Sequence, residues 1–347
     1  MLLRFLMLVA PLFCSLVGGL AYAEVVVDLY TASLEVPDRG QRTLRNARRN
    51  GLAQVLVKVS GSDTLLEDEQ LNKALGDAER FLRSYSYESA DDGGLSLRLS
   101  YDELAVQSLL RDAGLPLWTA NRPTVLTWLV LNDGGRRRFA GAADPPVAEE
   151  ALRASFGLRG VPLQTPLLDL EDTARLSPGE AWRQSSTALL EASQRYRDTE
   201  LLAGRVARMS DGRWTGDWKM LYEGRWINRS VSGVTLAQFT DAGAALAAET
   251  LAKRYAVTLL DAVDRRHRVT LRGIRSYGDY QAAQSALASL EAVRRVVPER
   301  LLGDQVSLRV EADADLVQLA RIIELDSRFV PSGEPGGDEG LFYEWIQ

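Results

Sequence analysis

Residues 199–234 read TELLAGRVARMSDGRWTGDWKMLYEGRWINRSVSGV. TELLAGRVARM has the apolar, β-branched character of a buried strand. Ser210-Asp211-Gly212 then supplies hairpin-turn chemistry, and RWTGDWKMLYEG and RWINRSVSG follow as antiparallel strands. Upstream lie a strand TVLTWLVLND (124–133), a helix over 147–157, a strand VPLQTPLLD (161–169) and a helix over about 178–196. Strands that alternate with helices imply right-handed crossovers and a parallel sheet. The hairpin adds antiparallel strands to it, and an Ala-rich helix follows at 236–257. Residues 123–262 therefore predict a mixed sheet with helices on its faces.

Two smaller segments flank this one. In 24–116, EVVVDLYTASLEV reads as a strand, and Leu44, Leu52, Val55, Leu56 and Val59 form a helical stripe that Gly61 ends. Leu71, Leu75, Ala78 and Leu82 mark a second helix. FLRSYSYE and LSLRLSY pair across Asp91-Asp92-Gly93-Gly94, and DELAVQSLLRDAG closes a βααββα unit. LPLWTANRP (115–123) is the linker. In 266–331, HRVTLRGI is a strand, and Tyr280, Ala283, Leu287, Leu290 and Val293 mark a helix. A hairpin turns at Gly303-Asp304, and Leu316, Leu319 and Ile323 give the last helix of a βαββα unit. Residues 332–347 comprise an acidic, Gly-rich linker and LFYEWIQ, which either adds a strand to its own unit or docks on another protein's sheet edge. The expected fold class is α/β and α+β, with three small αβ domains in tandem.

Residues 1–23, MLLRFLMLVAPLFCSLVGGLAYA, carry one early positive charge, an apolar centre and an Ala21-Tyr22-Ala23 ending. Those are the parts of a secretory signal peptide with cleavage after Ala23, and the expected location is the periplasm. The alternative is an uncleaved inner-membrane anchor. Cleavage would remove Cys14 and leave residues 24–347 without a thiol, so neither disulfides nor thiolate chemistry would operate. No second apolar run of spanning length follows, so no integral membrane span is expected after cleavage.

Lys and Arg number 41 against 47 Asp and Glu, a formal net charge of -6, which offers no electrostatic case for nucleic acid. The single His267 lies among Arg265, Arg266 and Arg268, which disfavour an imidazolium. Zinc sites of the usual kinds need several His or Cys ligands. Glu311, Asp313 and Asp315 alternate like the start of a calcium loop, but Leu316 and Ile322 stand where that loop needs Gly and Glu. No phosphate-binding glycine motif and no nucleophile elbow occurs. No cofactor or metal is expected.

Two clusters remain. Asp169, Glu171 and Asp172 follow a predicted strand, at the sheet end where α/β proteins bind ligands, or else they cap a helix. Trp214, Gly216, Trp218 and Met220 share one strand face, which forms either a platform for a sugar or peptide or the packed core of the hairpin. Trp226 on the next strand is the third candidate binding residue.

The blocks ARRNGLAQVLVKVSGSD (47–63), PLLDLED (166–172) and SQRYRDTELLAGRV (193–206), with the Trp-rich hairpin and the leader, resemble the proteobacterial exported family known as domain of unknown function 2066. That family implies no activity and no catalytic residues. The order of elements in the middle segment also resembles TolB-type periplasmic α/β domains and the lipoprotein activators of cell-wall synthases, which bind other proteins. Here Arg197-Asp198-Thr199 replaces the usual Gly-Ala-Asp before the strand. The outer segments resemble the small αβ modules of the flagellar T-ring protein. The resulting expectation is a non-enzymatic binding or assembly factor whose partners are envelope proteins. The alternative is a carboxylate-dependent hydrolase or carbohydrate-binding protein using residues 169–172 and the Trp214/Trp218 face.

Overall fold

A computed structural model describes residues 24–26, 28–89, 94–143, 145–196, 199–258, 266–332 and 340–346. Residues 1–23, the predicted turn at 91–93, Arg197-Asp198 and most of the predicted acidic linker lie outside the described residues. Helices and strands alternate through several small sheets, in the α/β and α+β class that the sequence predicts.

In the first unit the stripe from Leu44 to Val59 places helix Gln41–Ser60 on a three-stranded antiparallel sheet. Its strand order is Thr31–Glu35, Leu95–Tyr101, Leu82–Ser89. Leu97, Leu99 and Tyr101 face the helix by strict alternation, and the Tyr101 hydroxyl donates to the Arg48 carbonyl at 2.6 Å. The predicted strand over 24–36 is broken in two. Glu24–Val25 pairs with Asn121–Arg122, and the chain turns at residues 28–31, where the Thr31 amide donates to the Asp28 carbonyl.

The middle unit is a six-stranded sheet with helices on both faces. Strand Thr199–Arg208 runs parallel to Thr124–Asp133, and Trp214–Tyr222 and Arg225–Val234 extend it antiparallel to one edge. Val125, Leu129, Leu131, Leu202, Val206, Trp218 and Met220 pack on one side with helices Val147–Arg159 and Leu236–Tyr255. Leu126, Trp128, Val130, Leu201 and Ala203 pack on the other with Leu189 and Ala192. Three local expectations change. Only Leu163–Gln164 of the predicted strand 161–169 pairs. The helix predicted over 178–196 is two helices, Pro178–Arg183 and Ser186–Ser193, because Gln184 turns left-handed at φ 52°. A further strand, Arg136–Phe139, pairs beside Thr124–Asp133.

The third unit orders its strands Val293–Leu302, Gln305–Ala312, Arg266–Arg272, Leu341–Trp345, Phe329–Pro331. The aromatic tail thus lies inside its own sheet, parallel to Arg266–Arg272, with Leu341, Tyr343 and Trp345 buried. The preceding helix spans Tyr277–Ala288, so Leu290 falls beyond it and Val293 opens the next strand. Buried residues from Leu29 to Leu117 and from Val257 to Trp345 form one continuous cluster, so the first and third units share apolar contacts around the linker. Pro116–Leu117 in turn pairs with Val257–Thr258. Among the described residues, no helix is long and apolar enough to cross a membrane.

Candidate functional site

The acidic cluster is held shut by its own neighbours. Asp169 caps helix Leu170–Arg175 by accepting from the Asp172 amide at 3.0 Å, and both its oxygens meet Arg195, at 2.8 and 3.0 Å. The Arg195 hydrogen bonds hold the Asp169 carboxyl down at about 2. Asp172 is fully buried and accepts from the Leu168 amide, the Tyr196 hydroxyl and Arg195. Burial, reinforced by that bond to Asp172, pushes the Tyr196 phenol up to about 12. Glu171 pairs with Arg175 at 3.0 Å and lies 3.6 Å from Arg195. The three acids come together, but around guanidinium groups rather than around an open space. Their work is to fix the loop in which Leu168 adopts φ 55°.

The tryptophans divide between two faces. Trp218 is 0% exposed, stacks on Phe239 at 4.9 Å, and donates its indole N–H to the Phe239 carbonyl at 2.8 Å. Its ring fills the space over Gly204 and Gly243, where an added Cβ on either would lie 2.4 Å from a ring carbon. Trp218 therefore presents no ring face to solvent. Trp214 is half-buried against the same core. Trp226 lies on the opposite face, half-buried, with the Lys219 ammonium 4.4 Å from its ring. The strand that carries it, Arg225–Val234, is the last of its sheet and among the described residues pairs on one side only.

Sequence reasoning missed the joint between units. Arg122 in the linker is 0% exposed, yet among the described residues it meets no carboxylate at hydrogen-bond distance. Nε donates to Thr119 O at 2.8 Å, Nη1 to Gly160 O at 2.8 Å, and Nη2 to Lys58 O at 2.8 Å and Trp118 O at 2.7 Å. Lys58 and Arg159–Gly160 stand at the C-termini of two helices, where the last carbonyls lack helical partners and carry the negative end of the dipole. The guanidinium caps both ends and lies over the Trp118 ring at 4.0 Å. Burial pushes its pKa down to about 9, which leaves it charged at neutral pH.

Arg159 is the second clasp. It is 7% exposed and bridges Asp63 of the first unit, at 2.6 and 3.0 Å, to Asp241 of the long middle helix, at 3.0 and 3.2 Å. Burial works against its charge, but the two carboxylates outweigh it and raise the pKa. Gly61 seats this contact: at φ 77° it brings the helix end to where a Cβ would lie 2.4 Å from the Ala252 Cβ. Within the KVSGSD block, Lys58, Gly61 and Asp63 are thus docking residues. The signal in the sequence was a glycine helix stop followed by an acid, next to a linker arginine.

A cleft of about 440 Å³ separates the middle and third units, between Glu200, Tyr255, Glu324 and Pro331. Burial raises the pKa of both glutamates, while Arg254, 4.0 Å from Glu200, opposes the rise in each. Among the described residues no group of three His, Cys, Asp or Glu is arranged to hold a metal. His267 donates one bond through Nε2, to Ala314 O at 2.9 Å.

Residues 23–119 match the family described as Domain of unknown function (DUF8605). That stretch covers the first unit and the linker as far as Thr119, including the docking residues Lys58, Gly61, Asp63 and Trp118. No curated protein matches the chain. A solved structure titled "Crystal structure of uncharacterized protein" is similar at 14% identity, over 38% of this chain and 90% of that one, with a TM-score of 0.19.

Proposed function

We propose that the chain is an exported, non-enzymatic binding or assembly factor of the cell envelope, and that it recognises protein through the free edge of its middle sheet. The carrying observation is strand Arg225–Val234, ten residues long and, among the described residues, hydrogen-bonded along one side only. Its other side holds a row of main-chain donors and acceptors that an extended partner segment can pair with, while Trp226 and Ile227 offer apolar contact on opposite faces. Arg122 and Arg159 support the reading by fixing the middle sheet against the first unit, so that the edge is presented from a firm base. The signal-like composition of residues 1–23 supports a periplasmic setting for this role, with cleavage after Ala23. The hydrolase or carbohydrate reading draws no support from the geometry, since Asp169 and Asp172 both bind Arg195 and Trp218 is covered.

The test is a photoreactive amino acid at Ser230 or Ser232, irradiated in the native host, combined with proline scanning. N–H groups of successive strand residues point to opposite sides, so one of Ser230→Pro and Val231→Pro blocks the free side while the other breaks the sheet's own ladder. Discrete envelope-protein adducts, lost in the proline variant that still folds, are the expected result. Adducts that are absent from both positions, or unaffected by that variant, overturn the proposal.

A further inference from the structure

At the far end of the third unit, helix Tyr277–Ala288 and the hairpin of Val293–Leu302 and Gln305–Ala312 diverge and leave a groove of about 570 Å³. Buried Ile274 and Val306 form its apolar floor, exposed Pro298 lines it, and Tyr277 and Tyr280 contribute rings with centroids 6.0 Å apart. At the rim Tyr277 is 75% and Leu301 70% exposed, an unusual exposure for two large apolar groups that face one space. The volume lies within the range of ligand sites, which are mostly apolar with a few polar groups.

The groove carries two arginines against one carboxylate. Arg275 and Arg300 line it, and neither guanidinium has an ion-pair partner among the described residues. The only carboxylate in the lining among the described residues, Glu299, is already taken: Arg309 lies 2.6 Å from one oxygen and Arg268 3.3 Å from the other. Those bonds hold its carboxyl below the usual range. What remains is an apolar trough flanked by two uncommitted guanidinium groups, which suits an occupant with an apolar body and a terminal carboxylate.

The edge strand forming one wall limits how that occupant enters. Pro298 has no N–H to donate, and the pairing slips by a residue between Pro298 and Arg300. Both features interrupt the edge at residues 298–300, which favours an occupant that inserts an end over one that pairs along the whole strand. We infer that this groove binds the C-terminus of a partner polypeptide, with its last apolar side chain between Tyr277, Tyr280 and Leu301 and its carboxylate on Arg275 and Arg300. The site is separate from the edge strand 225–234, and either assignment can fail alone.

The experiment uses the full chain and a fluorescent pool of heptapeptides, randomised over the last three positions, with a free carboxylate or a C-terminal amide. Saturable anisotropy is expected for the acid pool. The amide pool and R275Q/R300Q should each bind at least tenfold more weakly, and Leu301→Asp should abolish binding. Leu301 and both arginines lie at the rim, and unchanged circular dichroism and melting would show that the variants fold. Equal binding of acid and amide pools, no saturable binding of either, or indifference to R275Q/R300Q overturns the inference. Displacement of the acid pool by decanoate as effectively as by unlabelled acid peptide also overturns it, and assigns the groove to an acyl anion instead.

Discussion

Arg122→Met is the perturbation that tests the joint most directly. Methionine keeps much of the apolar stem but removes every donor, leaving the carbonyls of Lys58, Trp118, Thr119 and Gly160 without the bonds they make at 2.7–2.8 Å. Leaving a buried polar group unsatisfied costs about 1–3 kcal/mol. Two of the four carbonyls terminate helices and lose a favourable cation as well, at about 0.3–1 kcal/mol each. Relief from burying the guanidinium offsets part of this, since burial already disfavours its charge. The net expectation is a loss of about 4 kcal/mol, against a total stability of about 5–15 kcal/mol. Arg122→Lys keeps the charge but offers one nitrogen to acceptors spread around a planar fork, and should lose roughly half as much. Urea denaturation of residues 24–347 with a slope of about 3 kcal/mol/M would move the midpoint down by about 1.3 M for Met. Amide exchange should accelerate first at residues 57–61 and 159–161. A midpoint shift under about 0.3 M, or a lysine variant worse than the methionine one, would refute the capping argument.

Gly243→Ala should cost about 1–3 kcal/mol by overpacking, because the new Cβ would lie 2.4 Å from the Trp218 ring; thermal melting checks it. Asp172→Ala should cost about 2–4 kcal/mol, since it strips the Leu168 amide and the Tyr196 hydroxyl of a buried acceptor, whereas Asp169→Asn should stay close to wild type in the same melt. Glu291→Gln tests a pH effect. Burial raises the Glu291 carboxyl above its usual 4.5, while its Oε1 accepts from the Ala120 amide and its Oε2 has no hydrogen-bond partner among the described residues. The folded chain therefore holds that proton where the unfolded chain has released it, and stability falls as pH rises from about 4.5 through the raised value. Glutamine should flatten that fall and stabilise the protein at pH 8 relative to wild type; a steeper fall contradicts the sign. If residues 1–23 are a cleaved signal, N-terminal sequencing of the protein from its native host should begin at Glu24, and an N-terminus at Met1 in the membrane fraction would favour the uncleaved anchor.

The reading of the acidic cluster shows where sequence stops. Asp169, Glu171 and Asp172 were visible as a group, but their three-dimensional partner Arg195 lies 23 residues further along, at the end of another helix. Charge in a list of residues has no sign of its neighbourhood; that comes from which guanidinium the fold brings within 3 Å. The same holds for Trp218. Alternation placed it on a face, and the helix carrying Gly243 and Phe239 decided that the face was covered.

Arg122 and Glu291 make the point most sharply. Neither belongs to a periodic pattern, since one sits in a linker and the other just past a helix end, and neither was singled out in the sequence. Their roles arise where Lys58, Gly160 and Ala120, distant in the chain, converge.

Periodicity, turn residues and strand-helix order were enough, from the sequence alone, to determine the mixed α/β class, the main strands and the long helices, because those depend on neighbours within about one to four residues along the chain. The break at Gln184, the tail's place inside its own sheet, the closure of the acidic cluster and the shared apolar cluster of the first and third units were decided by tertiary structure. Each depends on pairing or packing between segments tens to hundreds of residues apart, and local pattern carries no record of which distant surface arrives.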